Sequence, residues 1–381
     1  MKFSFYMPVR VIVGADCVRE NRGAIKPLGR RAFVMSGARS AQSNGSLADM
    51  TEALDAEGIT WRHYPGVRPN PSLGDARAAA AEAREFGADF VVALGGGSPM
   101  DAAKAVAVLA AGPEGMLDDQ ALLSKRSFDR VLPVVAVPTT AGTGSEVTPY
   151  SILTNPALET KSFLNSEQVY PRIAFLDGRY SAGLPLDITA ATALDAMSHS
   201  VEGYLAVRAN PVSRALALES LGALGPRLRR LSRGEAPDAE GREALLYASM
   251  LAGIVISQSG TTAVHAMGYS LTYFKGIDHG LANGLLMASY LEWMAKDRSS
   301  EVARIASSLG CADLRALRSL LGDLAGIASS GRAEAIADNE LERFAGIAIK
   351  AGNILNTEPR PSREDLLRML RESCGKDRSE R

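Results

Sequence analysis

The chain has 381 residues, 46% apolar and 22% charged, with a formal net charge of −1. That length exceeds what one hydrophobic core usually serves, so two domains are expected, and the near-neutral charge argues against a nucleic-acid-binding surface. No apolar run of about 20 residues suggests a membrane span, and the opening MKFSFYMPVRVIVG lacks the apolar stretch and cleavage site of a signal peptide. Cys17, Cys311 and Cys374 are odd in number, far apart and form no CxxC pair. Neither a disulfide framework nor a cysteine-rich zinc site is expected. The expectation is a soluble cytoplasmic protein that binds neither nucleic acid nor membrane.

Up to about residue 180, β-branched or apolar runs alternate with Ala- and Glu-rich stretches. RVIVG (10–14), RAFVMSG (31–37), ITWRHY (59–64), DFVVALGGG (89–97), VLPVVAVPTT (131–140), YSILT (150–154) and RIAFLD (172–177) read as strands, with helices at 47–58, 72–87 and 99–112. Such alternation predicts a parallel sheet covered by helices. DGRYSAGLP (177–185), with two glycines and a proline, ends the pattern. Helices are then predicted at 187–206, 210–232, 240–259, 261–274, 281–296, 300–309, 312–328, 339–350 and 362–374. The expected organisation is an α/β domain over 1–182 and an all-α domain over 183–381, with the charged GKDRSER (375–381) as a frayed end.

Three glycine-bearing loops follow strands of the first domain. In ALGGGSPMDAAKAVA (93–107) a buried strand ends in Gly95, Gly96 and Gly97 and a helix begins, with Ser98 expected as N-cap, Pro99 at N1 and Asp101 at N3. Glycines permit close backbone approach and a helix start offers free N–H groups, which together suit a pyrophosphate. The spacing is not GxGxxG, so the usual dinucleotide fingerprint is absent. VPTTAGTGSEVTPY (137–150) sets hydroxyls and bare backbone after another strand, where α/β sheets bind ligands. In FVMSGARSAQSNG (33–45), the place where an Asp or Glu would bond a ribose 2′-hydroxyl holds Gly37, followed by Arg39 and Ser40. A carboxylate would repel a 2′-phosphate, whereas a small residue beside Arg and a hydroxyl accommodates one, so the loop favours NADP over NAD.

The chain has four histidines. His63 falls in the strand ITWRHY and reads as a partly exposed strand residue. His199 follows Asp195 by four residues in the apolar run TALDAMSHSVEGY (192–204), and residues i and i+4 share one helix face. His265 sits in the apolar TTAVHAMGYSLTY, and His279 in GIDHGLANGLLM, just before a predicted helix. One carboxylate and three imidazoles make a reasonable ligand set for a divalent metal.

GGGSPMDAAKA (95–105), PTTAGTGSEVTPYSILT (138–154), LDAMSHSVEGY (194–204) and VHAMGYSLTYFKGIDHG (264–280), in this order, resemble the motifs of the iron-containing (group III metal-dependent) alcohol dehydrogenase family. The likeness runs from FYMPVRVIVG to NTEPRPSREDLLRML. It implies a Rossmann-like α/β nucleotide-binding domain and an all-α domain, the architecture shared with dehydroquinate synthases, with the active site in the cleft between them. It implies that Asp195, His199, His265 and His279 bind Fe²⁺, with Zn²⁺ as the competing metal. Gly96, Gly97, Ser98, Asp101, Thr139, Thr140, Thr143, Ser145 and Lys161 are implied to hold the cofactor, as is Asn70, with Gly37 and Ser40 at its adenosine end. Many relatives carry Asp at the position of Gly37 and favour NAD, and members with Gly there often favour NADP. The implied activity is hydride transfer between NADP(H) and a small alcohol or aldehyde whose oxygen the metal polarises, with a homodimer or larger homo-oligomer expected. Catalytic roles fall to His279, through the metal, and to Tyr269, which stands where many members have a second histidine. Zn²⁺-dependent polyol oxidation and a dehydroquinate synthase-type lyase reaction are the alternatives. The lyase needs basic residues for a phosphorylated substrate, whereas the metal-motif helices here are largely apolar.

Overall fold

The computed structural model describes residues 2–112, 115, 118–155, 160–330 and 335–375. The expected frayed end therefore lies, beyond Gly375, outside the described residues. The chain forms two compact units. One comprises Met7–Thr140 and Gly144–Gly183; the other comprises Met1–Tyr6, Ala141–Thr143 and Leu184–Arg381.

The first unit contains, in chain order, β1 (Arg10–Val13), α1 (Cys17–Glu20), β2 (Arg31–Ser36), α2 (Ser40–Ser43), α3 (Ser46–Ala56), β3 (Thr60–Tyr64), α4 (Leu73–Phe86), β4 (Phe90–Gly95), α5 (Gly97–Leu109), α6 (Asp119–Ser124), β5 (Val134–Pro138), β6 (Tyr150–Asn155), β7 (Thr160–Asn165) and β8 (Ile173–Leu176). Six strands form a parallel sheet in the order β1-β8-β5-β4-β2-β3. Side chains alternate across the sheet, as strand geometry requires. Phe33, Met35, Val91 and Ala93 face one core with Ala76, Ala80, Ala103 and Val106 of the helices. Ala32, Val34, Phe90, Val92 and Leu94 face a second core with Val18, Met50 and Leu54. Both faces are covered, which is why these strands read as continuous apolar runs. α4 starts from a capping box between Ser72 and Asp75 and ends on Gly87 in the left-handed conformation.

YSILT departs from its expected place. As β6 it pairs antiparallel with β7, in a separate two-stranded sheet. The polar sequence TKSFLN gives β7 little strand signature, so the sequence does not announce the partner that captures β6.

The second unit is helical among its described residues: α7 (Leu186–Leu205), α8 (Pro211–Leu231), α9 (Ala239–Ser259), α10 (Ala263–Lys275), α11 (His279–Ser308), α12 (Leu314–Ala328), α13 (Asp338–Ala348) and α14 (Arg363–Cys374). α7 runs through its middle, against α8, α9, α11 and α12. Every residue from Ala193 to Leu205 is buried, as expected of a helix that is apolar on all sides. The helices expected at 281–296 and 300–309 are one run, α11, interrupted only by the non-helical backbone of Arg298. Among the described residues no single helix is long and apolar enough to cross a membrane; α9 and α10 reach that length and composition only together, bent by 112°.

Candidate metal centre and nucleotide-binding loops

β2, β4 and β5 are neighbours in the sheet and run parallel, with Ser36 opposite Leu94 and Gly95 opposite Pro138. The three loops singled out by their glycines therefore leave the same sheet edge side by side. β2 connects to β3 on one flank, while β4 lies on the other. This reversal of strand order creates the crevice where open α/β sheets bind ligands.

The first turn of α5 differs from expectation. Gly96 is the N-cap, Gly97 the first helical residue, and no side chain caps the helix. The Ser98 hydroxyl instead accepts from the Asn70 backbone N–H at 3.1 Å, which brings Asn70, itself in the left-handed region, against the loop. N–H groups of a first helical turn have no intrahelical acceptor. Here they belong to Gly97 and Ser98, since Pro99 has none. Two of the three glycines also have local reasons. Gly95 has φ +148°, and a Cβ there would meet Pro99 Cγ at 2.6 Å; a Cβ on Gly96 would meet Thr140 Oγ1 at 2.9 Å.

Asp101 and Ser145 meet behind this loop. The Ser145 hydroxyl donates to Asp101 Oδ1 at 2.7 Å. The fully buried Lys104 ammonium donates to Ser145 Oγ at 2.7 Å, to Thr148 Oγ1 at 3.2 Å and to the Tyr150 carbonyl at 2.7 Å. Burial raises the Asp101 carboxyl above its usual range against the pull of Lys104, Ser145 and the more distant Lys161. Burial also lowers Lys104 to about 8 and pushes Glu146 up to about 7. Thr139 N–H donates to the Gly95 carbonyl at 3.0 Å. Thr143 belongs with the helical unit. There Gly142 is pressed on α7, where a Cβ would lie 2.9 Å from the Thr192 carbonyl.

At the end of β2, a Cβ on Gly37 would lie in ordinary contact, 3.8 Å from Ser40 Oγ. Arg39 and Ser40 are exposed. His63 is half-buried on β3, as expected, and its Nε2 lies 2.8 Å from the buried Ser36 hydroxyl. That hydroxyl donates to the Gly37 carbonyl at 2.9 Å, so the imidazole Nε2–H is the donor to Ser36.

In the helical unit, α7, α10 and α11 bring Asp195, His199, His265 and His279 together. One oxygen of Asp195 and one ring nitrogen each of His265 and His279 lie within 4.8 Å of one another. His199 Nε2 lies 3.1 Å from His265 Nε2 and 3.7 Å from Asp195 Oδ1, and His279 Nε2 lies 4.0 Å from the same oxygen. Tyr269 stacks on the His279 ring at 5.5 Å between centroids and meets His265 edge-on at 6.1 Å. Burial alone would raise the Asp195 carboxyl, but the imidazoles of His199, His279 and His265 and the Asn283 amide outweigh it and hold its pKa below the usual carboxylate value. Burial lowers His199 below the ordinary imidazole value, against the pull of Asp195.

The donor set fits a divalent cation. His265 Nδ1 is hydrogen-bonded to the Glu202 carboxylate, which leaves its Nε2 lone pair facing His199 Nε2. Two such lone pairs 3.1 Å apart repel unless a proton or a cation lies between them. A carboxylate with three imidazoles is the nitrogen and oxygen chemistry that Zn²⁺ and Fe²⁺ take.

Two residues of the cluster went unnoticed in the sequence. Glu202 stands three residues after His199. Asn283 stands four residues after His279 on α11, and its amide donates to Asp195 Oδ1 at 3.1 Å and lies 3.3 Å from both His265 Nε2 and His279 Nε2. The i, i+4 relation to His279 is the signal that could have found Asn283.

Residues 8–178 match the model of the family described as iron-containing alcohol dehydrogenase, and residues 189–374 match that of its C-terminal domain. The chain is 31% identical to the sulfoacetaldehyde reductase of Bilophila wadsworthia, over 97% of this chain and 98% of that one. It is 32% identical to the lactaldehyde reductase of Escherichia coli K12, over 70% and 69%. The crystal structure of an iron-containing alcohol dehydrogenase from Thermotoga maritima superposes with a TM-score of 0.89 at 38% identity, covering 98% of this chain and 99% of the other. The chain belongs to the iron-containing alcohol dehydrogenase family and is an oxidoreductase of the alcohol dehydrogenase class.

Proposed function

We propose that the chain reduces a small aldehyde to its alcohol with NADPH, and the reverse, using a divalent metal held by Asp195, His199, His265 and His279, with Fe²⁺ preferred to Zn²⁺. The observation that carries this reading is the convergence of one carboxylate and three imidazoles from three helices, with Asp195, His199 and His265 buried and His279 half-buried. Bound there, a divalent cation supplies Lewis acidity toward a carbonyl or hydroxyl oxygen.

The rest falls to the chain's own residues. Gly97 and Ser98 N–H groups bind the cofactor pyrophosphate at the start of α5. Asp101, oriented by the Ser145 hydroxyl, accepts from a ribose hydroxyl, and Lys104 holds this pair in place. Thr139, Thr140 and Thr143 flank the cofactor, and Lys161 and Asn70 complete its surroundings. Gly37 leaves room for a 2′-phosphate, with Ser40 and Arg39 as its donors. The Tyr269 phenol passes a proton to the substrate oxygen, a role supported by its ring stacking on His279. The buried walls of α7 and α10 exclude water from the metal cluster, which strengthens electrostatic effects on the reacting oxygen.

Assembly as a homodimer or larger, in the cytoplasm, completes the reading. The assembly is supported by β1, an outermost strand of the sheet that pairs, among the described residues, with β8 alone, since an open edge pairs readily with its own copy.

The test is steady-state reduction of short-chain aldehydes, lactaldehyde and sulfoacetaldehyde with NADPH and NADH. Turnover with a higher kcat/KM for NADPH is expected. Turnover with NADH alone would overturn the cofactor reading, and absence of turnover with every aldehyde the substrate reading.

A further inference from the structure

Glu202 is fully buried on α7, and among the described residues its hydrogen bonds go to Thr262 and His265 at the start of α10. Its Oε1 accepts from the Thr262 backbone N–H at 2.7 Å, the Thr262 hydroxyl at 2.8 Å and the His265 backbone N–H at 3.3 Å. Its Oε2 accepts from His265 Nδ1. Thr262 is the N-cap residue of α10 and makes no side-chain cap of its own, so a carboxylate from another helix caps this one. The Thr262 hydroxyl also lies 3.0 Å from the hydroxyl of the fully buried Tyr290. A chain of Tyr290, Thr262, Glu202 and His265 thus runs through the helical unit and ends on a nitrogen whose ring partner faces the metal cluster.

We propose that Glu202 is a positioning residue for the metal, holding His265 in the tautomer whose Nε2 lone pair faces Asp195, His199 and His279 and supplying the second buried negative charge that neutralises a divalent cation. The proposal rests on the reading that these four residues hold the metal. Three features carry it. The carboxylate accepts from Nδ1, so the free lone pair of a neutral His265 can only be at Nε2. Asp195 and Glu202 are both buried within one helix, and two ionised carboxylates in a low-dielectric interior need opposite charge. With three neutral imidazoles, a divalent cation cancels their formal charge of −2. A capping role alone would require only Oε1, whereas Oε2 is turned to the imidazole.

The test is Glu202→Gln in the full chain, with Co²⁺ as the probe. The amide keeps an acceptor for the Thr262 donors. Its NH₂ then faces His265 Nδ1, which must accept, and the ring proton moves to Nε2, into the cluster. Co²⁺ affinity, measured by chelator competition, is expected to fall roughly 10–100-fold, with an altered Co²⁺ visible spectrum. Thermal unfolding of the metal-free variant is expected at or above the wild-type Tm, because one of two like buried charges is gone. Equal Co²⁺ affinity in the two proteins, or a lowered metal-free Tm with affinity unchanged, overturns positioning and leaves capping. Should the amide variant not fold, Glu202→Asp, which keeps the charge and withdraws it from Nδ1 by one methylene, is read by the same criteria. Wild-type protein that takes up no Co²⁺, or that keeps it fully in His279→Ala, overturns the metal reading itself, and this proposal with it.

Discussion

Gly280 sits next to His279 in the first turn of α11, and α11 is fitted against α7 at this point. A Cβ placed on Gly280 would lie 1.9 Å from the Ala191 carbonyl oxygen and 2.9 Å from Asp195 Cβ. The closer atom belongs to the backbone of a buried helix and cannot swing aside. Restoring ordinary contact requires α11 to retreat from α7 by about 1.5 Å. Two effects of Gly280→Ala compete. Alanine gains up to about 1 kcal/mol of helix propensity over glycine, while overpacking of a fitted core costs about 1–3 kcal/mol. Here the cost wins, because the obstacle is rigid. The displacement also carries His279 away from Asp195, whose Nε2 and Oδ1 stand 4.0 Å apart. We therefore expect Gly280→Ala to lower unfolding stability in urea by about 1–2 kcal/mol and Co²⁺ affinity at least tenfold, about 1.4 kcal/mol. Gly222→Ala is the internal control. Gly222 is an exposed residue of α8 whose Cβ would meet nothing within 4 Å, so the same exchange there should stabilise by about 0.5–1 kcal/mol. If Gly280→Ala stabilises as Gly222→Ala does and binds Co²⁺ normally, the close fit of α11 on α7 does not set the cluster.

Two further outcomes are expected. Gly37→Asp fits sterically, with its nearest neighbours at 3.8 Å, and places a carboxylate where a 2′-phosphate would lie. The NADPH to NADH ratio of kcat/KM should fall, and an unchanged ratio would remove Gly37 from the adenosine site. Glu146 is buried and keeps its proton up to about 7 in the folded chain, against 4.5 ordinarily. The folded state then holds the extra proton between these values. The stability this contributes is full below pH 4.5 and is lost as the pH rises toward 7. Glu146→Gln cannot ionise, so it should unfold like wild type near pH 5 and be more stable near pH 8, by as much as ~3 kcal/mol. A difference between the two proteins that does not change with pH would show that the buried carboxyl does not titrate in this way.

The α/β half was legible because a sheet covered on both faces writes itself as apolar runs. β2, β4 and β5 carry no ambiguity, and their order explains why three glycine loops far apart in sequence share one edge. β6 misled because its pairing depends on β7, whose threonine, lysine, serine and asparagine carry little periodic signal. The Ser98 cap failed for a tertiary reason, since its hydroxyl is engaged by Asn70, 28 residues earlier. Asp195 and His199 could be read together from helical spacing alone. Glu202 could not be tied to His265, because contacts between residues 63 positions apart leave no trace in local pattern. It is the packing of α7 on the start of α10 that joins them. The break at Arg298 looked like the end of a helix, although α11 resumes on the same run.

The central claim is that turnover depends on a divalent metal held by Asp195, His199, His265 and His279. The direct measurement is NADPH oxidation with a small aldehyde by protein stripped of metal, then reloaded anaerobically with increasing Fe²⁺ or Zn²⁺, for wild type and for His265→Ala. The account predicts no turnover in the stripped protein and recovery that saturates near one Fe²⁺ per chain. It predicts neither metal retention nor recovery in His265→Ala, with NADPH binding intact. Full turnover in metal-free protein, or His265→Ala that keeps its metal and its activity, would contradict it.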